Sequence, residues 1–525
     1  MRPANFSSDD ASRSTRRLSV LAAVVFVALA PLAAFPSGDI AQIQSDDIKS
    51  LVKEGERSLR RGEYIEAEKR FKRVIEISSD HAVAKLRLAF VYIKQRRIRD
   101  AYDLSFAVAK ADPKNANAFA VLGATLLTAG KFKDARAVFF NALRLNKREA
   151  LAWAGYGMLD FYENRIFDSI GHLSEAVFHD ADEPDYYFSL AQVSARAERY
   201  NDAAEAYNRF LMLSRNTDDE RRQRIKGLIN FLRFLGHKQS LYVTGGNAET
   251  TVPIEVVGNR PVIKLYVNGK DRPLRFVLDT GSGISVISDE TAKQLNINPV
   301  TKGGFAKGIG GDGRFEIVYG FLREVDVGAV NVRNVPVYIR KFHSDDFRVD
   351  GYIGLSLISK FLTTLDYGAK TFTLTKRESN DLDNSGAVSL PLRLTSSGFL
   401  SGEVQLEGIE EPLNFIVDTG ASVSVISDDV ANLRSESPFV RGSKMRVVGA
   451  AGITDDVPSF LLPRVSFGSH SRKGITAIAL DLDMINEASG FEQAGILGGN
   501  FLRNYRMTFD FKNSKVTFVP ISQEQ

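Results

Sequence analysis

The chain has 525 residues, 44% hydrophobic and 25% charged, enough for several folded units. A formal charge of +4 is small for this length and argues against a nucleic-acid binder. The absence of cysteine removes disulfides, thiol catalysis and cysteine-ligated metal sites, and the six histidines show no metal-ligand spacing.

At the N-terminus, Arg13, Arg16 and Arg17 precede the apolar run LSVLAAVVFVALAPLAAF, Leu18 to Phe35. A basic leader before such a run is an export signal. The run is long for a signal peptide and short for a spanning helix, and Pro31 interrupts it. Residues 1–38 are therefore expected to be either a cleaved signal peptide or an N-terminal membrane anchor. Both place the remaining chain on the periplasmic, extracytoplasmic side.

Residues 48–237 repeat with a period of 34. Gly62, Tyr64, Ala67 and Phe71 recur as Gly130, Phe132, Ala135 and Phe139. Ile98 and Ala101, Ile166 and Ser169, and Tyr200, Ala203 and Tyr207 fill the same slots. Gly123 and Gly157 share another slot with Ala89 and Ala191. Small residues let two helices approach and aromatics fill the groove between units, so these stripes are core. The pattern resembles the tetratricopeptide repeat, a pair of helices per unit. Five units fit, and DERRQRIKGLINFLRFLG from Asp219 reads as a capping helix. The resemblance implies a concave surface for a protein partner and no catalysis. Arg221, Arg222, Arg224 and Lys226 read as a solvated cap face.

Residues 238–252 are polar and read as a linker. From Pro253 the chain alternates β-branched and aromatic residues with glycine turns, the signature of strands. This half is also doubled. NGKDRPLRFVLDTG matches EGIEEPLNFIVDTG, and Asp279 pairs with Asp418. GYIGLSLISKFLTTLDYG matches AGILGGNFLRNYRMTFDF, pairing Gly354 with Gly498, Phe361 with Tyr505 and Asp366 with Asp510. Two lobes follow, 253–377 and 390–521, with a linker at 378–389. Asp381 and Asp383 hint at a calcium loop, but Leu392 stands where its glutamate belongs.

Each lobe drives an aspartate to the end of an apolar strand, where an ionised group is costly. One Asp-Thr-Gly is a common turn; two, with matched strands before and matched hydrophobic-Gly segments after, are specific. Each lobe resembles a retropepsin-like aspartic protease monomer, and two in one chain resemble an internal dimer. The expected fold is multidomain: an all-α tetratricopeptide-repeat solenoid followed by an all-β bilobal aspartic-protease fold.

The resemblance implies that Asp279 and Asp418 share one proton and activate a water against a peptide bond, without metal or cofactor. Thr280 and Thr419 resemble the paired threonines that bond across the lobes in this family. Gly281 and Gly420 relieve the turn so that backbone N–H groups can face the carboxylates. Ser282 can hydrogen-bond its aspartate where Ala421 cannot, which predicts an asymmetric site. GIGGDG, Gly308 to Gly313, formally matches a dinucleotide fingerprint, but a strand follows it and not a helix. Its place is that of a flap: Gly308, Ile309, Gly310 and Gly311 would match Gly449, Ala450, Ala451 and Gly452, with Ile309 and Ala450 touching substrate. Asp345, Asp346 and Asp350 read as a solvated loop.

Two readings follow. One is an exported aspartic endopeptidase with a polypeptide substrate, recruited by the repeats, and an active site made within one chain. The other is a non-catalytic scaffold whose protease-like lobes bind a peptide strand.

Overall fold

The structure, a computed structural model, describes residues 37–214, 218–238, 240–311, 313–343, 348–376, 387–433 and 439–521. The expected signal or anchor segment (save its last two residues), Asp345, Asp346, Asp381 and Asp383 lie outside the described residues. Among the described residues, no helix is long and apolar enough to cross a membrane. The chain divides into residues 1–49 and 50–525; residues 50–60 of the first helix belong to the second unit, which holds all later elements.

Helices Ser37–Arg60 to Tyr200–Leu213 form five successive pairs, closed by helix Asp219–Gly236. The 34-residue period has a steric cause. Ala67, Ala101, Ala135, Ser169 and Ala203 are all fully buried. A Cβ on Gly123 would meet the Phe139 ring at 2.6 Å, and one on Gly157 would meet Leu173 Cγ at 2.6 Å. The small slot of one helix is therefore filled by the large residue of the next. The histidines described there are structural: His81 Nδ1 accepts from Ala84 N–H at 3.1 Å, and His172 Nδ1 lies 2.7 Å from Asp160 Oδ2.

The turn inside each pair is left-handed. Gly62, Arg96, Gly130, Asn164 and Glu198 have φ of 78°, 59°, 73°, 61° and 60°. Glycine marks this slot in the sequence only twice, and the other residues bear the conformational cost. Four of these turns touch the β half. Arg96 pairs with Glu492, Gly130 O accepts from Asn414 Nδ2 at 3.4 Å, Asn164 Nδ2 donates to Phe511 O at 3.1 Å, and Glu198 pairs with Lys360. Phe491 enters the repeat core beside them, its ring 4.9 Å from both Phe132 and Tyr162.

The β half holds one large sheet per lobe and a six-stranded sheet built from both. In that shared sheet the repeated segments pair with each other: strand Leu362–Asp366 runs antiparallel to Tyr505–Asp510, with Thr364 opposite Thr508. Two expected linkers are corrected here. Residues 238–252 carry strand Val243–Gly246, paired to Val330–Arg340, and most of strand Glu249–Pro253, paired to Thr371–Thr375. The end of 378–389 enters strand Val388–Pro391, paired to Lys515–Pro520. All three are edge strands, with one side open to water, so they lack the apolar alternation of inner strands.

Helix Asp219–Gly236 is more than a cap. Phe231 stacks on Tyr319 at 4.4 Å and Phe234 meets Phe321 at 5.5 Å. Phe231 and Leu235 lie in the apolar core of the lobes. A Cβ on Gly227 would sit 2.5 Å from Gly303 Cα, so helix and strand Thr301–Lys307 touch backbone to backbone. Its basic stretch is not simply solvated: Arg222 donates to Ser214 O at 2.8 Å, Arg224 to Phe305 O at 3.4 Å, and Arg221 covers the Phe188 ring; Lys226 is exposed.

Candidate active site

In each lobe an apolar strand delivers the aspartate. Strand Leu274–Leu278 pairs in parallel with Gly351–Ile353, and strand Leu413–Val417 with Gly495–Leu497. The aspartate amides end these ladders alike: Asp279 N–H donates to Ile353 O and Asp418 N–H to Leu497 O, both at 3.0 Å. Phe276 and Phe415, each 1% exposed, fill the space that a side chain on Gly351 or Gly495 would need.

The two loops are cross-linked by their threonines. Thr280 Oγ1 donates to Val417 O at 2.7 Å and accepts from Thr419 N–H at 3.0 Å. Thr419 Oγ1 donates to Leu278 O at 2.6 Å and accepts from Thr280 N–H at 3.1 Å. Both side chains are buried, so each hydroxyl satisfies backbone groups of the opposite lobe that water does not reach.

This lock brings Asp279 and Asp418 together at the centre of the pseudo-dyad, each against the other loop's glycine. The glycines allow it. A Cβ on Gly281 would lie 2.5 Å from Asp418 Oδ2, and one on Gly420 would lie 2.6 Å from Asp279 Oδ1. Burial raises Asp279 well above the ordinary carboxylate range, and the Asp418 charge raises it further. Burial also raises Asp418, but the bond from Asp279 and the N–H groups of Gly420, Ala421 and Gly281 oppose this. Both carboxyls are raised, so the pair shares a proton and titrates as a unit.

The site is asymmetric, but not through Ser282 as expected. Its hydroxyl donates to Ile284 O at 2.7 Å, a turn bond, and not to Asp279. The asymmetry lies in backbone donors: Asp418 Oδ1 accepts from Gly420 N–H at 2.7 Å and Ala421 N–H at 3.2 Å, whereas Asp279 Oδ1 accepts from Gly281 N–H at 2.9 Å. Asp350 is also corrected. Its carboxylate accepts from Arg275 N–H at 2.7 Å and from Thr291 Oγ1 at 3.3 Å, anchoring the lobe.

Gly308–Gly313 is the tip of an antiparallel hairpin between strands Thr301–Lys307 and Arg314–Val327. The second lobe has a smaller hairpin, Met445–Gly449 with Gly452–Val457. The tips bond to each other: Ala451 N–H donates to Ile309 O at 2.9 Å and Gly311 N–H to Ile453 O at 3.2 Å. Gly310 and Gly311, at φ of 93° and 57°, allow that approach. Ile309 packs against the second lobe's cluster of Ile416, Val425, Ile478 and Ile496, and Ala450 lies beside Gly308.

Sequence reasoning missed Arg340, Arg260 and Tyr352. Arg340 and Arg260 place positive charge near Asp279, and Tyr352, paired with Val277 beside the Asp279 strand end, feels the charge of both aspartates. The signal was a mismatch between the copies: Tyr352 faces Val286 in the first lobe where Ile496 faces Val425 in the second. Among the described residues no cluster of side chains could hold a metal ion.

Residues 263–357 and 402–501 match the aspartyl protease family, and residues 58–124 match the tetratricopeptide repeat. No curated protein matches the chain. Among solved structures it is similar to an aspartic proteinase from Irpex lacteus, at 14% identity and TM-score 0.36, over 52% of this chain and 98% of that one. It is similar to a thermophilic tetratricopeptide-repeat protein of Thermus thermophilus, at 19% identity and TM-score 0.30, over 35% and 98%. It is also similar to PilF of Pseudomonas aeruginosa, at 15% identity and TM-score 0.27, over 37% and 87%. The chain thus joins tetratricopeptide repeats to a doubled, retropepsin-like aspartyl protease domain.

Proposed function

We propose that the chain is an aspartic endopeptidase whose active site forms between its own two lobes. The observation that carries this is the threonine-locked carboxyl pair. A water held between the carboxyls would lose a proton to the ionised member of the pair as it attacks the peptide carbonyl. The protonated member would donate to the carbonyl oxygen. Because the flap tips are bonded together, substrate entry requires them to part. The repeats would recruit the protein substrate or a partner. We extend the proposal to an extracytoplasmic site of action, on the strength of the basic and apolar N-terminal segment.

The test is cleavage of a polypeptide by the full chain. Activity should follow a bell-shaped pH profile, survive a chelator and stop with a hydroxyl-bearing statine-type inhibitor. Asp279→Asn and Asp418→Asn should each abolish it, and mixing the two variants should restore nothing. Full chelator sensitivity would overturn the reading. Peptide binding by the wild type without any cleavage would favour the scaffold instead.

A further inference from the structure

The two walls of the cleft are not equivalent. In the first lobe Arg340 stands opposite Ser288; at the matching register of the second lobe Leu480 stands opposite Ser427. Tyr352 likewise corresponds to Ile496. The second wall is apolar: Leu480 and Ile496 pack with Ile416, Val425 and Ile478. The first wall is cationic and aromatic. The Arg340 guanidinium carbon lies 5.7 Å from the Phe315 ring, 5.6 Å from Phe342 and 5.9 Å from Tyr352. Phe315 is next to the flap tip, where its ring would meet a Cβ on Gly308 at 2.9 Å, and Tyr352 is next to the strand that bears Asp279. Arg340 therefore sits under the flap, beside the dyad.

The buried Nε of Arg340 has no hydrogen-bond partner among the described residues. Rings around an arginine leave its N–H groups available in the plane, the geometry that matches a carboxylate. An aliphatic residue would serve a merely apolar wall better, as Leu480 does across the pseudo-dyad.

We propose that Arg340 is a specificity residue that selects substrates with an acidic side chain on the first-lobe side of the scissile bond and an aliphatic one on the second-lobe side. This rests on the peptidase reading for its cleavage arm only. Tyr352 and Phe342 hold the guanidinium; their rings meet edge to face at 5.3 Å. Arg260 adds positive charge near Tyr352.

The experiment uses the full chain and a peptide library made by digesting a proteome. Wild-type cleavage sites should be enriched in Asp or Glu on one side and in Leu, Ile or Val on the other. Arg340→Leu, which copies the second lobe, should lower kcat/KM for a Glu peptide about tenfold or more relative to its Gln twin, while aliphatic enrichment persists. Arg340→Lys should keep part of the acidic preference. In parallel, peptides retained by the Asp279→Asn chain should be rich in acidic residues, and adding Arg340→Leu should remove that bias. If wild type and Arg340→Leu cleave and retain peptides of equal acidic content, the proposal is overturned while the peptidase reading stands. If acidic retention depends on Arg340 but the wild type cleaves nothing, the peptidase reading falls and the acidic subsite remains.

Discussion

Replacing Thr280 with valine keeps the shape of the side chain and removes its hydroxyl. Two buried hydrogen bonds vanish, the 2.7 Å bond to Val417 O and the 3.0 Å bond from Thr419 N–H. Thr280 is 2% exposed and Thr419 0%, so water does not replace the lost partners. An unsatisfied buried group costs ~1–3 kcal/mol, and two such groups give a loss of about 3–4 kcal/mol. For a β half of about 280 residues, unfolding with about 0.6 kcal/mol/K of entropy, that corresponds to a fall of about 5–7 °C in melting temperature. Thr280→Ser is the control, since it retains both bonds and loses only a methyl group. Scanning calorimetry of the full chain should show the valine variant melting well below the serine variant, and Thr419→Val should match it. The double variant should cost less than the sum, because both residues serve one network. Peptidase activity should fall about 100-fold, as loosened loops misplace the carboxyls. If Thr280→Val melts within about 1 °C of Thr280→Ser, the interlobe lock does not carry the load assigned to it.

Gly281→Ala and Gly420→Ala should each abolish cleavage with circular dichroism unchanged, because the new Cβ would lie within 2.6 Å of the opposite carboxylate. The dyad also sets a pH dependence. Asp279 is raised in the folded chain above its ordinary 3.8, so its contribution to stability is full below that value and is lost as pH rises through the folded pKa. Urea midpoints should therefore drop with rising pH in the wild type more than in Asp279→Asn; equal slopes would refute the raised pKa. Phe491→Ala leaves a hole between Phe132 and Tyr162, and should cost about 3–5 kcal/mol, read as an earlier calorimetric transition for the repeats.

The doubling of the β half was legible because it is written twice, with strand, turn and glycine in matching order. The 34-residue period was legible for the same reason. What escaped were features whose partners are distant. Strand Glu249–Pro253 is polar and takes its structure from Thr371–Thr375, over a hundred residues later, so nothing local announces it. Ser282 stands next in line to its aspartate, yet its hydroxyl closes a local turn with Ile284 O. Asp350 looked like one of three loop acids, yet its strand-end position gives it the Arg275 amide. Arg340 reads as an ordinary outward residue of an alternating strand until the two copies are laid in register. Helix Asp219–Gly236 announced its length but not its second face, since Phe231 and Phe234 could equally have closed the repeats.

The row of left-handed turns has a mechanical consequence. A free solenoid of helix pairs flexes like a spring, because each unit touches only its neighbours. Here the turns at Arg96, Gly130, Asn164 and Glu198 are fastened one by one to the lobes, which splint four coils at a fixed pitch. At the Gly62 turn a side chain would meet nothing within 4 Å, and among the described residues that turn carries no such fastening. Arg96 and Glu198 are also the rivets of that splint. Replacing either with glycine would ease the backbone and cut the fastening in the same stroke, so relief of strain and freedom of the coil cannot be separated at these two positions.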